Sequence, residues 1–243
     1  MPTQLLFTRT LNAHFAAPVD ALLRAVHVQP ANASAPINDT FAMELLVFCA
    51  LLLYFAAVRL TLEVERPNTL QHFAEMTHEF VSGQGESIIS HGHERFLSFL
   101  TVLGLFILLC NLLGLVPGLR SPTADVVVPF GCAMLTFAYY HYHGIRKHGW
   151  GYIKQFLGPV WWLAPLMLLI EIISHLARML SLTVRLFANI FAGDLVTLAF
   201  FSLIPVVFPL IFLSLHIGVS LVQAYLFMAL AMSYLSLAVA EEH

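Results

Sequence analysis

The stretch from Ser181 to Phe201, SLTVRLFANIFAGDLVTLAFF, is as apolar as a membrane interior but contains two charged residues, Arg185 and Asp194. A charge in the hydrocarbon costs about 2.5–3.5 kcal/mol on insertion scales and about 10–17 kcal/mol in simulations of an isolated helix. Charged residues at this depth therefore usually serve a function. The stretch predicts a membrane helix that carries a functional site.

The composition of the whole chain agrees with a membrane location. Of 243 residues, 59% are hydrophobic and 10% are charged, whereas soluble domains average about 25% charged. The net charge is -3, and the basic residues form no stripe along the chain. Both features argue against a nucleic-acid partner. The three cysteines stand far apart in apolar runs, so we expect neither a disulfide framework nor a metal site.

The apolar segments predict an all-α integral membrane protein with about five membrane helices. A bilayer core of ~30 Å needs about 20 helical residues. Residues 1–40 are mixed in character and predict an exposed N-terminal arm, and residues 41–243 form a single membrane domain. Within it, apolar residues recur at helical spacing among charged ones in one segment, which predicts an amphipathic surface helix. The segments are a first span at 41–60, the surface helix at 66–92, a two-span hairpin at 96–142 and a long helical hairpin at 159–240.

The last hairpin has unusually long apolar stretches, of about 40 and about 30 residues, divided near Pro205 and Pro209. At 1.5 Å per residue the longer one reaches ~60 Å, twice the hydrocarbon thickness. A helix of that length must tilt steeply or break. We therefore predict two long, steeply tilted helices that present a flank to a neighbouring protein.

The basic residues predict the orientation, because positive charge favours the cytoplasmic side. The predicted N-terminus lies outside and the C-terminal tail, Glu241 to His243, inside. The larger basic group on the predicted map is Arg59, Arg66, Arg95, Arg146, Lys147 and Lys154, and the smaller is Arg9, Arg24 and Arg120.

Polar residues of the long hairpin fall on defined helix faces. Glu171, Arg178 and Arg185 are seven residues apart and Asn189 is four further, so they form one stripe, with Ser174 and Ser181 beside it. Asp194 is nine residues beyond Arg185, which turns it by half a turn and lifts it ~13 Å along the axis. These two charges therefore cannot pair within their own helix.

The final helix carries a second polar face with His216 and Gln223, seven residues apart. An imidazole titrates near neutral pH and is a candidate proton relay. The structural alternatives are a satisfied core histidine for His216, a helix-packing contact for Gln223 and an internal salt bridge for Arg185. HExxH, GxSxG and Walker motifs are missing, so we expect no active site of the chain's own and no cofactor.

Several motifs resemble those of subunit a in F-type ATP synthases. They are SLTVRLFANIFAGDL, HIGVSLVQAYLFMALAMSYLSLAVAEEH, LLCNLLGLVPG with Asn111, and SPTADV with Asp125. Their order matches the family, and the resemblance covers residues 96 to the C-terminus. It implies a stator that lies beside a ring of c subunits and conducts protons through two offset half-channels.

The resemblance also implies residue roles. Arg185 matches the essential arginine that faces the ring carboxylate, and Asp194 with His216 matches a pair in the outer half-channel. Asp194 departs from many relatives, which have glutamate there. The remaining matches are Glu171 for the inner half-channel, with Ser174 beside it, Asn189 and Gln223 as polar neighbours of the arginine, and Asn111 near the outer route.

The implied partners are the c-subunit ring, the b subunits of the peripheral stalk, the lipid bilayer and protons. A bacterial inner membrane is the expected location, with a mitochondrial or thylakoid membrane as the alternative. The other function considered is a self-contained ion transporter or channel, which usually shows an internal repeat or broken helices. The sequence shows no repeat, and it leaves the choice between H⁺ and Na⁺ open.

Overall fold

The computed structural model describes residues 5–25, 35–63, 68–89, 92–116, 118–149, 151–152, 163–203 and 207–240. All regular structure in these ranges is helical. A 3₁₀ turn, Pro122–Ala124, precedes the fifth α-helix. The α-helices are α1 Leu6–Ala25, α2 Asp39–Leu60, α3 Thr69–Ile89, α4 Glu94–Leu113, α5 Val127–His148, α6 Ala164–Leu203 and α7 Val207–Ala238.

Four of the described helices are long and apolar enough to cross a membrane, which confirms an all-α integral membrane protein. The apolar segments are Asp39–Leu60, Glu94–Leu113, Ala164–Phe200 and Ile211–Ala238. Helix α5 has 22 residues but a polar end with Arg146, Lys147 and His148, and it does not reach the same apolarity. Its role as a fifth span stays a prediction.

Helix α6 runs unbroken over 40 residues. Of the two alternatives for so long an apolar segment, breaking is therefore excluded and tilting remains. Helix α7 covers Val207–Ala238 and includes Pro209 near its described start. Pro205 and the predicted hairpin boundary at residue 159 lie outside the described residues, as do Arg66, Lys154 and the C-terminal tail.

The core forms where α7 packs between α4 and α6, with α5 against α6. Leu182, Leu186 and Ile190 recur every four residues on α6 and are buried. They meet Met232 and Leu235 of α7 within the main apolar cluster. This packing fixes the rotation of α6, because one face is enclosed and the opposite face is left outside.

The N-terminal residues fold onto the start of α2. The Asn12 side chain donates to the Ile37 carbonyl and accepts from the Ile37 N–H, both at 3.1 Å. The Leu5 N–H donates to Asp39 Oδ1 at 3.3 Å. The predicted arm thus contains a helix that contacts the membrane domain. A division of the chain at residue 40 stays a prediction.

Helix α3 matches the predicted amphipathic segment and is not among the four spans. Four of its apolar residues, Leu70, Phe73, Met76 and Phe80, are exposed, whereas Val81 is buried. The Tyr225 hydroxyl of α7 donates to Gln84 Oε1 at 3.1 Å and ties α3 to the core. An outward apolar face suits contact with lipid.

Candidate functional site

Arg185 lies half-buried on the middle of α6. Its Nη2 donates to the Ser181 hydroxyl, one turn earlier, at 3.3 Å. Within the described ranges no carboxylate forms an ion pair with it. Arg185 therefore has no partner in this part of the chain for an internal salt bridge, which was the structural alternative.

The side of α6 that carries Arg185 is directed outward. Ser181 and Asn189, one turn before and one turn after it, are exposed. Val184, next to the arginine, is also exposed, while Leu186 is buried. The guanidinium therefore lies at the boundary between the protein and its surroundings, on an otherwise apolar flank.

Asp194 and His216 lie together across α6 and α7. Asp194 Oδ1 is 3.8 Å from His216 Nδ1, and the His216 side chain is 5% exposed against 32% for Asp194. Gly193 allows this approach, because a Cβ there would lie 3.0 Å from the same ring nitrogen. A cavity of about 160 Å³ borders His216 and reaches Asn189. The structure thus brings together two residues that the sequence places on separate helices.

The other ring nitrogen of His216, Nε2, is buried and has no hydrogen-bond partner in the described ranges. The Ser220 hydroxyl, one turn further along α7, is also buried without a hydrogen-bond partner in the described ranges. Gln223 follows on α7 and is also buried. Buried polar atoms without partners are costly, and functional sites are a common reason for them.

Asn111 is fully buried at the end of α4 and reaches the same part of α7. Its Nδ2 donates to the Ser220 carbonyl at 3.5 Å, and its Oδ1 accepts from the Thr123 hydroxyl at 2.6 Å. Asp125 lies outside this group, since it accepts a hydrogen bond from the Thr40 hydroxyl at 3.0 Å. A polar seam therefore runs from the 3₁₀ turn to α7.

A second polar group lies near the start of α6. Glu171 Oε1 is 3.2 Å from His175 Nε2, and His175 Nδ1 is 2.8 Å from the Tyr140 hydroxyl of α5. Arg178 packs over the Tyr234 ring at 5.4 Å. A cavity of about 180 Å³ borders all five side chains.

Sequence reasoning missed three members of this group, Tyr140, His175 and Tyr234. His175 is four residues after Glu171, so helical spacing alone places them on one face. Tyr140 comes from another helix, 35 residues earlier, and no local pattern indicates its contact. Ser174, which was predicted here, is half-buried on the same helix.

The two polar groups are well separated along α6, and Arg185 lies between them. Glu171 is 14 residues before the arginine and Asp194 nine after it. At 1.5 Å per residue these offsets are ~21 Å and ~13 Å. The helix thus carries an acid with a histidine partner on each side of an arginine that has no carboxylate partner in the described ranges.

The family model described as ATP synthase A chain matches residues 40–236. The chain belongs to the ATP synthase A chain family. The chain is 53% identical to ATP synthase subunit a of Koribacter versatilis, over all of both chains. It is 43% identical to the subunit a of Solibacter usitatus, over 96% of this chain and 99% of the relative. The subunit a of Geobacter sulfurreducens is 38% identical, over 91% and 94%.

Membership of the ATP synthase A chain family confirms the resemblance that the sequence motifs indicated. The matched region includes every predicted site residue from Asn111 to Gln223. It excludes residues 1–39, where the motifs were not diagnostic either.

Proposed function

We propose that this chain is the stator subunit of the proton-translocating ATP synthase and that Arg185 separates two offset half-channels. One observation carries the proposal: a permanently charged residue lies midway along a membrane helix, between two acid–histidine groups, with no carboxylate partner in the described ranges. A charge in this position needs a partner from outside the chain. A carboxylate on the c-subunit ring fits that need.

The chemistry of arginine suits a barrier to protons. Its guanidinium is effectively never deprotonated, so it cannot relay a proton through its own position. It can attract a carboxylate and favour the ionised form. A protonated ring carboxylate that approaches Arg185 therefore releases its proton. It must be protonated again before it faces lipid.

The outer half-channel is assigned to the group around Asp194 and His216. Asn189 borders the cavity beside His216, Asn111 of α4 donates to the Ser220 carbonyl of α7, and Gln223 is buried further along α7. Asp194 lies on the helix face opposite the stripe, so a proton can approach the ring on this side without passing the arginine. Each proton that crosses a potential of 100 mV supplies ~2.3 kcal/mol.

The inner half-channel is assigned to the cavity that Glu171 borders, with Ser174 beside it. The Glu171 side chain is 39% exposed, so the protein around it leaves it open to its surroundings. This end of α6 lies on the side predicted to face the cytoplasm. A proton released from the ring leaves here during synthesis and is taken up here during ATP-driven pumping.

The proposed partners are the c ring on the outward flank of α6 and the b subunits of the peripheral stalk. A bacterial inner membrane is the proposed location, because the three relatives named above are bacterial. The rival proposal, a self-contained transporter, usually requires a discontinuous helix around its site, and α6 is continuous.

Cysteine crosslinking tests which flank of α6 meets the ring. We expect cysteines at Ser181 and Asn189, which are exposed beside Arg185, to crosslink efficiently to cysteines that flank the ring carboxylate. Ile190 is fully buried against the core and supplies the matched control, because Ile190→Cys should crosslink poorly. Crosslinked product is measured by gel mobility in oxidised membranes.

The opposite pattern would overturn the assignment. If position 190 or 194 crosslinks to the ring better than 181 and 189, then α6 presents its other face. If none of the four positions crosslinks, the ring does not lie on this helix and the proposed function loses its support.

Gly193 provides a test of the outer route. We expect Gly193→Ala to slow proton-driven ATP synthesis by about tenfold or more, because a Cβ 3.0 Å from His216 Nδ1 would displace the imidazole from Asp194, and a misplacement of about 1 Å can cost about 10²-fold in rate. Gly218→Ala on α7 is the matched control, since a Cβ there meets nothing within 4 Å. Equal rates for the two variants in reconstituted vesicles would contradict a role for this contact.

A further inference from the structure

We propose that Tyr140 and His175 are positioning residues for Glu171: the Tyr140 hydroxyl selects the tautomer of His175, which then donates to the Glu171 carboxylate and adjusts proton exchange in the inner route. This inference rests on the proposed function, because it assigns a role within the inner half-channel. It concerns two residues that the sequence motifs did not indicate.

The hydrogen-bond geometry defines which atom donates in each of the contacts between Tyr140, His175 and Glu171. An ionised carboxylate only accepts hydrogen bonds, so the His175 nitrogen that faces Glu171, Nε2, must carry the proton. In neutral histidine the other nitrogen, Nδ1, is then an acceptor. The Tyr140 hydroxyl, 2.8 Å away, supplies the donor that Nδ1 needs. Tyr140 thereby favours the tautomer that holds Glu171.

The packing around His175 keeps the ring in this orientation. The His175 side chain is 11% exposed, and its ring stacks on the Tyr140 ring with centroids 5.8 Å apart. The Phe137 ring meets it edge-on at 6.4 Å. A hydrogen bond that orients a histidine toward its target commonly tunes the target's chemistry.

The charged and titratable groups around His175 come from several elements of the described structure. On α6 itself, Glu171 and Arg178 border the same cavity, and Arg178 is directed at the Tyr234 ring of α7. From α5, the His141 ring lies 4.8 Å from that of His175, and its Nδ1 is 2.8 Å from the Tyr152 hydroxyl. Burial, reinforced by the Glu171 charge, raises the pKa of Tyr152 to about 12, so this hydroxyl stays neutral.

The pH profile of proton pumping tests the inference. Inverted vesicles that contain the whole ATP synthase take up protons through the inner route, and the rate of ATP-driven acidification is measured across external pH. A donor to the ionised carboxylate stabilises that form, so we expect Tyr140→Phe to move the Glu171-dependent limb to higher pH by about half a unit. The maximal rate should change less than the position of the limb.

Tyr139→Phe is the matched control, because it removes the same hydroxyl from the neighbouring residue, whose ring stacks on Phe99 of α4 at 3.8 Å. Its profile should coincide with that of the unmodified protein. His175→Gln keeps a side-chain N–H near the position of Nε2 and should retain the profile. His175→Leu removes the donor and should shift the limb at least as far as Tyr140→Phe.

The outcomes separate this inference from the proposed function. An unshifted profile in Tyr140→Phe, equal shifts in the two tyrosine variants, or equal losses in His175→Gln and His175→Leu would each overturn the positioning role. The proposed function is instead tested by the Arg185 variants, measured in the same vesicles. An immunoblot for the assembled complex in each preparation distinguishes loss of assembly from a change in proton exchange.

Discussion

Inverted vesicles that carry the Arg185→Ala variant should hydrolyse ATP without acidifying their interior. We expect ATP-driven pumping to fall about a hundredfold or more, as when other preorganised charges that stabilise a reacting group are removed. Without the guanidinium, nothing favours release of the proton from the ring carboxylate, and nothing separates the two routes. Acidification is followed by quenching of a pH-sensitive dye, and proton-driven ATP synthesis is measured in parallel.

Two further substitutions sharpen this test. Arg185→Lys should not restore normal pumping, because an ammonium is a more strongly hydrated point charge without the guanidinium fork. Arg59→Ala is the control, since Arg59 is exposed in the last turn of α2 and contacts none of the groups described here. Normal coupled pumping by Arg185→Ala would end the proposal that Arg185 separates two half-channels.

Asp194→Asn should slow proton uptake from the outside about 10²-fold, the lower end of the range for removal of a proton-transferring group. The amide cannot accept and release a proton, and it also loses the charge beside His216, 3.8 Å away. His216→Ala should give a loss of similar size. The measurement is the rate of ATP synthesis driven by an imposed pH gradient and potential.

The contact between these residues predicts strong coupling between their substitutions. The exchange variant, Asp194→His with His216→Asp, restores an acid and an imidazole to the same contact. Its rate of ATP synthesis should therefore be about tenfold higher than the rate expected if the losses in Asp194→His and His216→Asp simply multiplied. Asp194→Asn combined with Glu86→Gln, at an exposed position of α3, should instead be additive. Additive losses in the exchange variant would show that Asp194 and His216 act separately.

The helical elements could be predicted because apolar periodicity and length are local properties of the sequence. They indicated α3 as an amphipathic helix and α6 as a segment too long for a perpendicular span. Spacing also placed Asp194 half a turn from Arg185, in agreement with its contact to α7. Helix α1 was missed, since its packing depends on hydrogen bonds between Asn12 and Ile37, which are 25 residues apart in the sequence.

The candidate site was predictable only in part. Charged residues are rare within apolar runs, so Arg185 and Asp194 could be recognised from the sequence. His175 shares a helix face with Glu171 by spacing alone, but the role of Tyr140 emerges only when α5 and α6 are packed together. The same is true of Gly193, whose missing side chain matters only because His216 of α7 lies against it. Contacts between helices depend on rotation and depth, which a single sequence does not define.

The unbroken course of α6 has a consequence for a resting cell. Its two acid–histidine groups are 23 residues, or ~35 Å, apart along an axis that we predict to be steeply tilted, and with that tilt much of the separation lies in the plane of the membrane. In the proposed mechanism, a proton covers this lateral distance only while it is bound to the rotating ring. When the ring is stationary, no continuous water path joins the two sides. An idle enzyme therefore leaves the membrane charged, and the cell loses no potential through a motor that is not running.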